Sequence, residues 1–381
     1  MYKNVLINSQ KSIKKTFTNN LINIVKIHFH YTGNISLNKI NKELNLNYSN
    51  LKYNYISKQG CAENENTKIT LCKNHKYQIN SNKITGLYKK NFTNLSKGEK
   101  YQSDTNAVRL NYSLVEANSE NTNKNIVFLH GLFGNSNNWR SISYSSAIRD
   151  RRKSLLVDLR NHGDSDHNEE MSYSAMAHDV LRLLDHLKID KCTLLGHSMG
   201  GKVAMNFATL FPSRLDGLII VDSAPKDHKD NVNIYGGTKK IVEDVSELNV
   251  EGRSRKDVLN ELKTQFNGSV ANLLNTNLTY ISPEDDKVTW RCNMKAIRKN
   301  IDNIIGFQSA PGKVYEGNVS VIVGEKSHIF PLDVYKTIFP RIEEQDVKKV
   351  KEAGHWVHVD NPTGVIVNII KFLDQIDKKS R

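Results

Sequence analysis

From about residue 107 onward, short apolar runs alternate with amphipathic stretches, a pattern that a chain can bury in only a few ways. The runs are NIVFLH (125–130), SLLVDL (154–159), CTLLGH (192–197), GLIIVD (217–222) and VSVIVG (319–324), with a weaker DVKKVK at 346–351. The first five are nearly continuous rather than half polar, which is how strands buried on both faces of a parallel sheet read. The stretch YSAMAHDVLRLLDHL supplies a crossover helix, with Met176, Val180, Leu183, Leu184 and Leu187 spaced along one face. VRLNYSLVEA (108–117) reads as an antiparallel entry strand or hairpin. The expected fold is α/β: a mostly parallel central sheet with helices on both faces.

The alternation stops after Pro225 and resumes near Asn318. The intervening segment, about 226–315, is rich in helix formers and charge. Ile241, Val245 and Leu248, then Val258, Leu262 and Phe266, fall at helical spacing. An excursion between two sheet strands lies over the carboxyl ends of the strands, where open α/β sheets bind ligands, so this segment is expected to be a helical lid.

Residues 1–105 differ in kind from the remainder. They carry 19 Asn and 17 Lys against 5 acidic residues, which accounts for +12 of the chain's formal charge of +14. The domain at 106–381 is therefore nearly neutral and has no basic stripe interleaved with aromatics, which argues against a nucleic-acid partner. Seven lysines precede the first acidic residue, Glu43, among Ser, Thr and Asn, although arginine is absent. The leader thus reads as an organelle transit segment or as a low-complexity extension too polar to fold alone. No run of 18 apolar residues is present, so no membrane span is expected. Cys61, Cys72, Cys192 and Cys292 fit neither a disulfide framework nor a zinc spacing.

The chemistry centres on LLGHSMGGK, where Gly196-His197-Ser198-Met199-Gly200 follows an apolar strand and precedes the helical run KVAMNFATLF. That context defines a nucleophile elbow, a strained turn that lifts Ser198 above the sheet. An acyl-transfer serine also needs donors for the developing oxyanion. The elbow offers the backbone N–H of Met199, and the loop FLHGLFGNSNNW after the first central strand offers that of Leu132. His130 is expected to brace that loop, while Phe133, Trp139 and His197 are assigned to the pocket wall or its rim. The base should follow the last strand: His355 in EAGHWVHVDNP fits, with His358 as second choice and more suited to packing. Candidates for the acid are Asp222, Glu325 and Asp333. Asp222 ends the strand next to the elbow strand, 24 residues after Ser198, a spacing that fits one helix, a turn and a strand; Asp222 is therefore preferred.

Taken together, HGLFGNSNNW, DLRNHGDS, GHSMGGK, VDSAP, WRCNMKAI and AGHWVHVDNP resemble the α/β-hydrolase domain-containing protein 11 type of esterase and related bacterial esterases. The resemblance covers most of 107–375 and excludes the leader. It implies an α/β-hydrolase fold, hydrolysis of acyl esters or thioesters without metal or organic cofactor, and an acid at the end of the strand before the lid, which maps onto Asp222. It also implies a mitochondrial address, a role in lipid metabolism, and a small acyl ester or thioester, or an acylated protein, as the substrate partner. The rival expectation is a protein that keeps the pocket for binding an acyl ligand without turnover.

Overall fold

The apolar runs become strands whose alternate side chains find cover on both faces of one sheet. In the computed structural model the described residues are 107–379, apart from 120–121, 228–231, 283, 285, 309–311 and 329. The leader, with its expected transit character and Cys61 and Cys72, lies outside the described residues. The main sheet has seven strands: β1 (Tyr112–Val115), β2 (Asn125–Leu129), β3 (Lys153–Val157), β4 (Cys192–His197), β5 (Leu215–Val221), β9 (Val319–Gly324) and β10 (Val347–Val350). Their order is β1-β3-β2-β4-β5-β9-β10, antiparallel only between β1 and β3.

Period-two alternation sorts the strand side chains into two cores. Val127 and Leu129, Leu194, Leu218 and Ile220, and Val321 and Val323 enter one core. There they meet Met176, Val180 and Leu184 of helix α1 (Tyr173–His186) and Val203 and Phe207 of α2 (Met199–Leu210). Ile126, Phe128, Leu195, Ile219 and Ile322 enter the other, against Val365, Ile369, Phe372 and Leu373 of the C-terminal helix at Pro362–Lys379. Local sequence sets the helix starts. Ser172 caps α1 by accepting the Ala175 N–H, and the C-terminal helix opens with proline, whose missing N–H costs nothing there.

Between β5 and β9 the chain leaves the sheet. It forms α3 (Val232–Glu247), β6 (Arg253–Ser254), α4 (Arg255–Gln265), α5 (Gly268–Asn275), β7 (Leu278–Tyr280), β8 (Lys287–Trp290), α6 (Met294–Lys299) and α7 (Ile301–Ile305). The helices follow the apolar spacing read from the sequence. The three-stranded antiparallel sheet β6-β8-β7 was not anticipated, because strands of two to four residues are too short to display a period-two pattern. Two body residues hold the end of this insertion: Lys202 Nζ donates to the carbonyls of Ile305 (2.7 Å) and Gly306 (2.8 Å), and Tyr173 Oη donates to that of Ile304 (2.5 Å). No helix among the described residues is long and apolar enough to cross a membrane.

The loop after β3 is tied to α1 by a buried ion pair, in which Arg160 donates from Nε (2.6 Å) and Nη2 (2.8 Å) to the two oxygens of Asp179. Asp179 also accepts the Val108 N–H, and both side chains are shielded from solvent. Removing one partner strands a charge in the interior. Asp179→Ala is therefore expected to lower unfolding free energy by about 3–5 kcal/mol in urea titration; a loss below about 1 kcal/mol would contradict a desolvated pair.

Candidate active site

The site begins with an elbow that only glycine neighbours permit. Ser198 stands between β4 and α2 with φ 51° and ψ −116°, outside the regions a side chain prefers. A Cβ on Gly196 would overlap the Gly200 carbonyl, and one on Gly200 would lie 2.5 Å from the His130 carbonyl oxygen. The helix can therefore approach both strands closely only because those side chains are missing. Holding a serine in such a conformation costs about 1–3 kcal/mol.

Ser198 Oγ–H donates to His355 Nε2 at 3.1 Å, and His355 Nδ1–H donates to Asp222 Oδ2 at 2.6 Å. The carboxylate on Nδ1 fixes the tautomer and leaves Nε2 as the acceptor facing the serine. The side chain of Asp222 is only 4% exposed and that of His355 45%, so the acid is dry while the base remains accessible. The acid's other partners come from the turn after β9. The Gly324 N–H donates to Oδ1 at 3.0 Å, and Ser327 Oγ–H donates to Oδ2 at 2.6 Å. That turn thus supplies donors to the Asp222 carboxylate rather than a carboxylate to His355. Glu325 instead accepts the Glu352 N–H, and Asp333 is exposed in the first turn of Leu332–Lys336.

Above this chain lies a cavity of about 460 Å³, bordered by Leu132, Phe133, His197, Ser198, Met199 and His355. The inserted segment closes its far side with Ile241, Val270, Leu273, Ile304 and Ile305. Leu132 and Met199 border this cavity, and their N–H groups donate to no backbone acceptor among the described residues. Both are thus available to an oxyanion formed on a carbonyl at Ser198. Lys202, one helical turn beyond Ser198, also borders the cavity; burial pushes its ammonium down to about 7.

Buried histidines brace the loops around the cavity. The Leu159 N–H donates to His130 Nε2 (2.9 Å), and His130 Nδ1–H donates to the Gly131 carbonyl (2.8 Å). The Phe133 N–H donates to His162 Nε2 (3.2 Å), and His162 Nδ1–H donates to the Arg160 carbonyl (2.9 Å). Thus His162 supports the loop. His197 Nε2–H donates to the carbonyl of His355 at 2.9 Å, so it borders the pocket and also holds the loop of the base. One expectation changes. Trp139 does not wall the pocket: it is fully buried in the opposite core, behind His358, with their rings stacked at 4.6 Å. The indole also packs against Phe128 of β2, with ring centroids 5.4 Å apart. His358 packs rather than reaching Ser198, as its position before the last helix suggested. Sequence reasoning missed Ser327, the Gly324 N–H and Asn277, because each acts through a partner more than a hundred residues away.

Residues 124–362 match the family described as "alpha/beta hydrolase fold", and the chain belongs to that family. It is similar to "sn-1-specific diacylglycerol lipase ABHD11" of Danio rerio, at 34% identity over 70% of this chain and 83% of the relative. It is also similar to "Esterase YbfF" of Escherichia coli (strain K12), at 28% identity over 70% of this chain and the full length of the relative. Among solved structures, "Marine microorganism esterase" superposes with a TM-score of 0.63 and 29% identity, covering 70% of this chain and 99% of that one.

Burial lowers His162 to about 3 and His358 to about 4, and also holds His130 and His197 below the ordinary histidine range. In the unfolded chain such side chains titrate near pH 6.5. Below that pH the unfolded state binds protons that the folded state does not, so their contribution is complete above about 6.5 and is lost as pH falls toward the folded values. The urea midpoint is expected to drop between pH 6.5 and 4.5, and His358→Phe to make the slope shallower by up to ~1.4 kcal/mol per pH unit. A flat profile, or one unchanged by His358→Phe, would contradict neutral buried imidazoles.

Proposed function

We propose that the protein is a lidded serine hydrolase that cleaves carboxylic esters, and thioesters by the same chemistry, through an acyl-enzyme. The observation that carries the proposal is the continuous hydrogen-bonded chain from Ser198 through His355 to Asp222 at the floor of an apolar cavity. Ser198 Oγ attacks the acyl carbonyl while His355 Nε2 takes its proton. Asp222 orients the ring through Nδ1 and stabilises the imidazolium. The N–H groups of Leu132 and Met199 hold the oxyanion; one such donor is worth about 3 kcal/mol of transition-state stabilisation. His355 then protonates the departing alkoxide or thiolate, and water, deprotonated by His355, cleaves the acyl-enzyme.

The inserted segment is the lid in this reading. Its apolar side chains at Ile241, Val270, Leu273, Ile304 and Ile305 give an acyl chain a surface to bury against. That lining, with relatives named as a diacylglycerol lipase and esterases, supports acyl-lipid esters as the substrate class. An acylated protein presents the same carbonyl and belongs to the proposal as a second class. The proposed address is the mitochondrion, which rests on the acid-poor, lysine-rich leader and on the resemblance to mitochondrial esterases. No observation favours the reading of a non-turnover receptor.

Steady-state hydrolysis of a p-nitrophenyl ester series tests the proposal. The wild type is expected to complete many turnovers, and Ser198→Ala to lower kcat by about 10⁴- to 10⁶-fold, as removal of an activated serine does. Binding of esters without turnover, or turnover that survives in Ser198→Ala, would overturn it.

A further inference from the structure

The cavity has a polar side that the acyl transfer does not use. Asn138, His197, His358, Val359 and Asp360 border it there. None belongs to the insertion: they come from the loop after β2, the end of β4 and the segment after His355. Val359 is 65% exposed and Asp360 is exposed as well, so this side opens to solvent.

Two buried imidazoles stand there side by side, with ring centroids 4.7 Å apart. His197 gives its Nε2–H to the His355 carbonyl, which leaves Nδ1 as a bare acceptor. That nitrogen lies beside the nucleophile: a Cβ on Gly131 would be 2.9 Å from it and 3.2 Å from the Ser198 Cβ. His358 stacks on Trp139, and its Nδ1 is sealed in the protein without a hydrogen-bond partner among the described residues. Its Nε2 has no such partner either but is not sealed, which makes it the nitrogen on the cavity side. The hydrogen belongs on Nε2, since a sealed N–H without an acceptor is the costlier arrangement. Burial keeps both rings neutral near pH 7, so one offers an acceptor and the other a donor. A hydroxyl group, which is donor and acceptor at once, is the complement of that pair.

We propose that His197 and His358 bind a free hydroxyl in the alcohol part of the ester: the hydroxyl donates to His197 Nδ1 and accepts from His358 Nε2–H. The inference rests on the reading of the chain as a serine hydrolase whose insertion buries the acyl chain. With that chain against the insertion, the alcohol extends toward the polar side and leaves through the opening at Val359. An alkyl alcohol fills the same space but strands a desolvated donor and a desolvated acceptor, which penalises it. The pair thus selects esters that carry a hydroxyl on the carbon next to the one bearing the ester oxygen.

The test compares kcat/KM of the full-length chain on 2-hydroxyethyl butyrate and propyl butyrate, which differ only by a hydroxyl against a methyl group. Each value is divided by that ester's rate of alkaline hydrolysis, which removes the difference in leaving-group reactivity. The wild type is expected to prefer the hydroxy ester by about 10- to 100-fold, the worth of two hydrogen bonds to otherwise unpaired groups. His358→Phe, which keeps the ring on Trp139 and lacks the donor, is expected to bring that ratio to within about threefold of one. His358→Gln, whose amide NH₂ restores a donor, is expected to retain part of the preference. The ratio is taken on one enzyme sample and is insensitive to the amount of folded protein. Should His358→Phe yield none, His358→Met, which fills the same space without a donor, is read by the same ratio. Turnover of both esters without preference in the wild type, or a preference that survives in His358→Phe, overturns the inference alone. A wild type that hydrolyses neither ester overturns the hydrolase reading along with it.

Discussion

Two main-chain hydrogen bonds that run one residue past the strands determine where the chemistry sits. His197, Val221 and Ile322 lie in register across β4, β5 and β9, and the ladder continues beyond them. The Ser198 N–H donates to the Val221 carbonyl at 3.0 Å, and the Asp222 N–H donates to the Ile322 carbonyl at 2.8 Å. Ser198 and Asp222, the proposed nucleophile and acid, are each the first residue beyond a strand, and each is fixed by the neighbouring strand. Their separation is thus set by the spacing of the sheet, about 4.8 Å per strand, rather than by flexible loops. The loop after β10 then has only to carry His355 over the gap, and the His197 ring anchors its carbonyl from below.

The same region concentrates backbone strain. Ser198, Asp222 and Phe133, which carry the proposed nucleophile, the proposed acid and the turn next to the proposed Leu132 donor, have φ values of 51°, 47° and 59°. Residues persist in such conformations only when surrounding bonds over-determine them. Each case shows those bonds: the ladder at Ser198, the Gly324 and Ser327 donors at Asp222, and the His162 and Asn277 side chains at Phe133. The strain directs the groups into the cavity, and the buried polar partners keep them there.

What could be read from the sequence was what is local. The elbow is encoded within five residues, because both glycines and the strand-helix context lie next to Ser198. Asp222 could be placed from its 24-residue spacing because a parallel crossover returns the chain to the same edge of the sheet. Trp139 was assigned to the wrong side because a glycine-rich loop followed by an aromatic residue does not reveal which face of the sheet the ring enters. The donors at Ser327 and Asn277 were invisible for another reason. Each bonds a residue more than a hundred positions away, through a small polar side chain indistinguishable from its many surface counterparts in a chain this rich in asparagine.

The account stands or falls on which carboxylate activates Ser198. The most direct measurement is the rate of covalent labelling by a fluorophosphonate, followed by intact mass and by peptide mapping, for wild type, Asp222→Asn and Glu325→Gln. The account predicts a single adduct on Ser198, labelling slowed by about 10³- to 10⁴-fold in Asp222→Asn, and a wild-type rate in Glu325→Gln. An Asp222→Asn variant that labels at the wild-type rate, or a Glu325→Gln variant that does not, would contradict it.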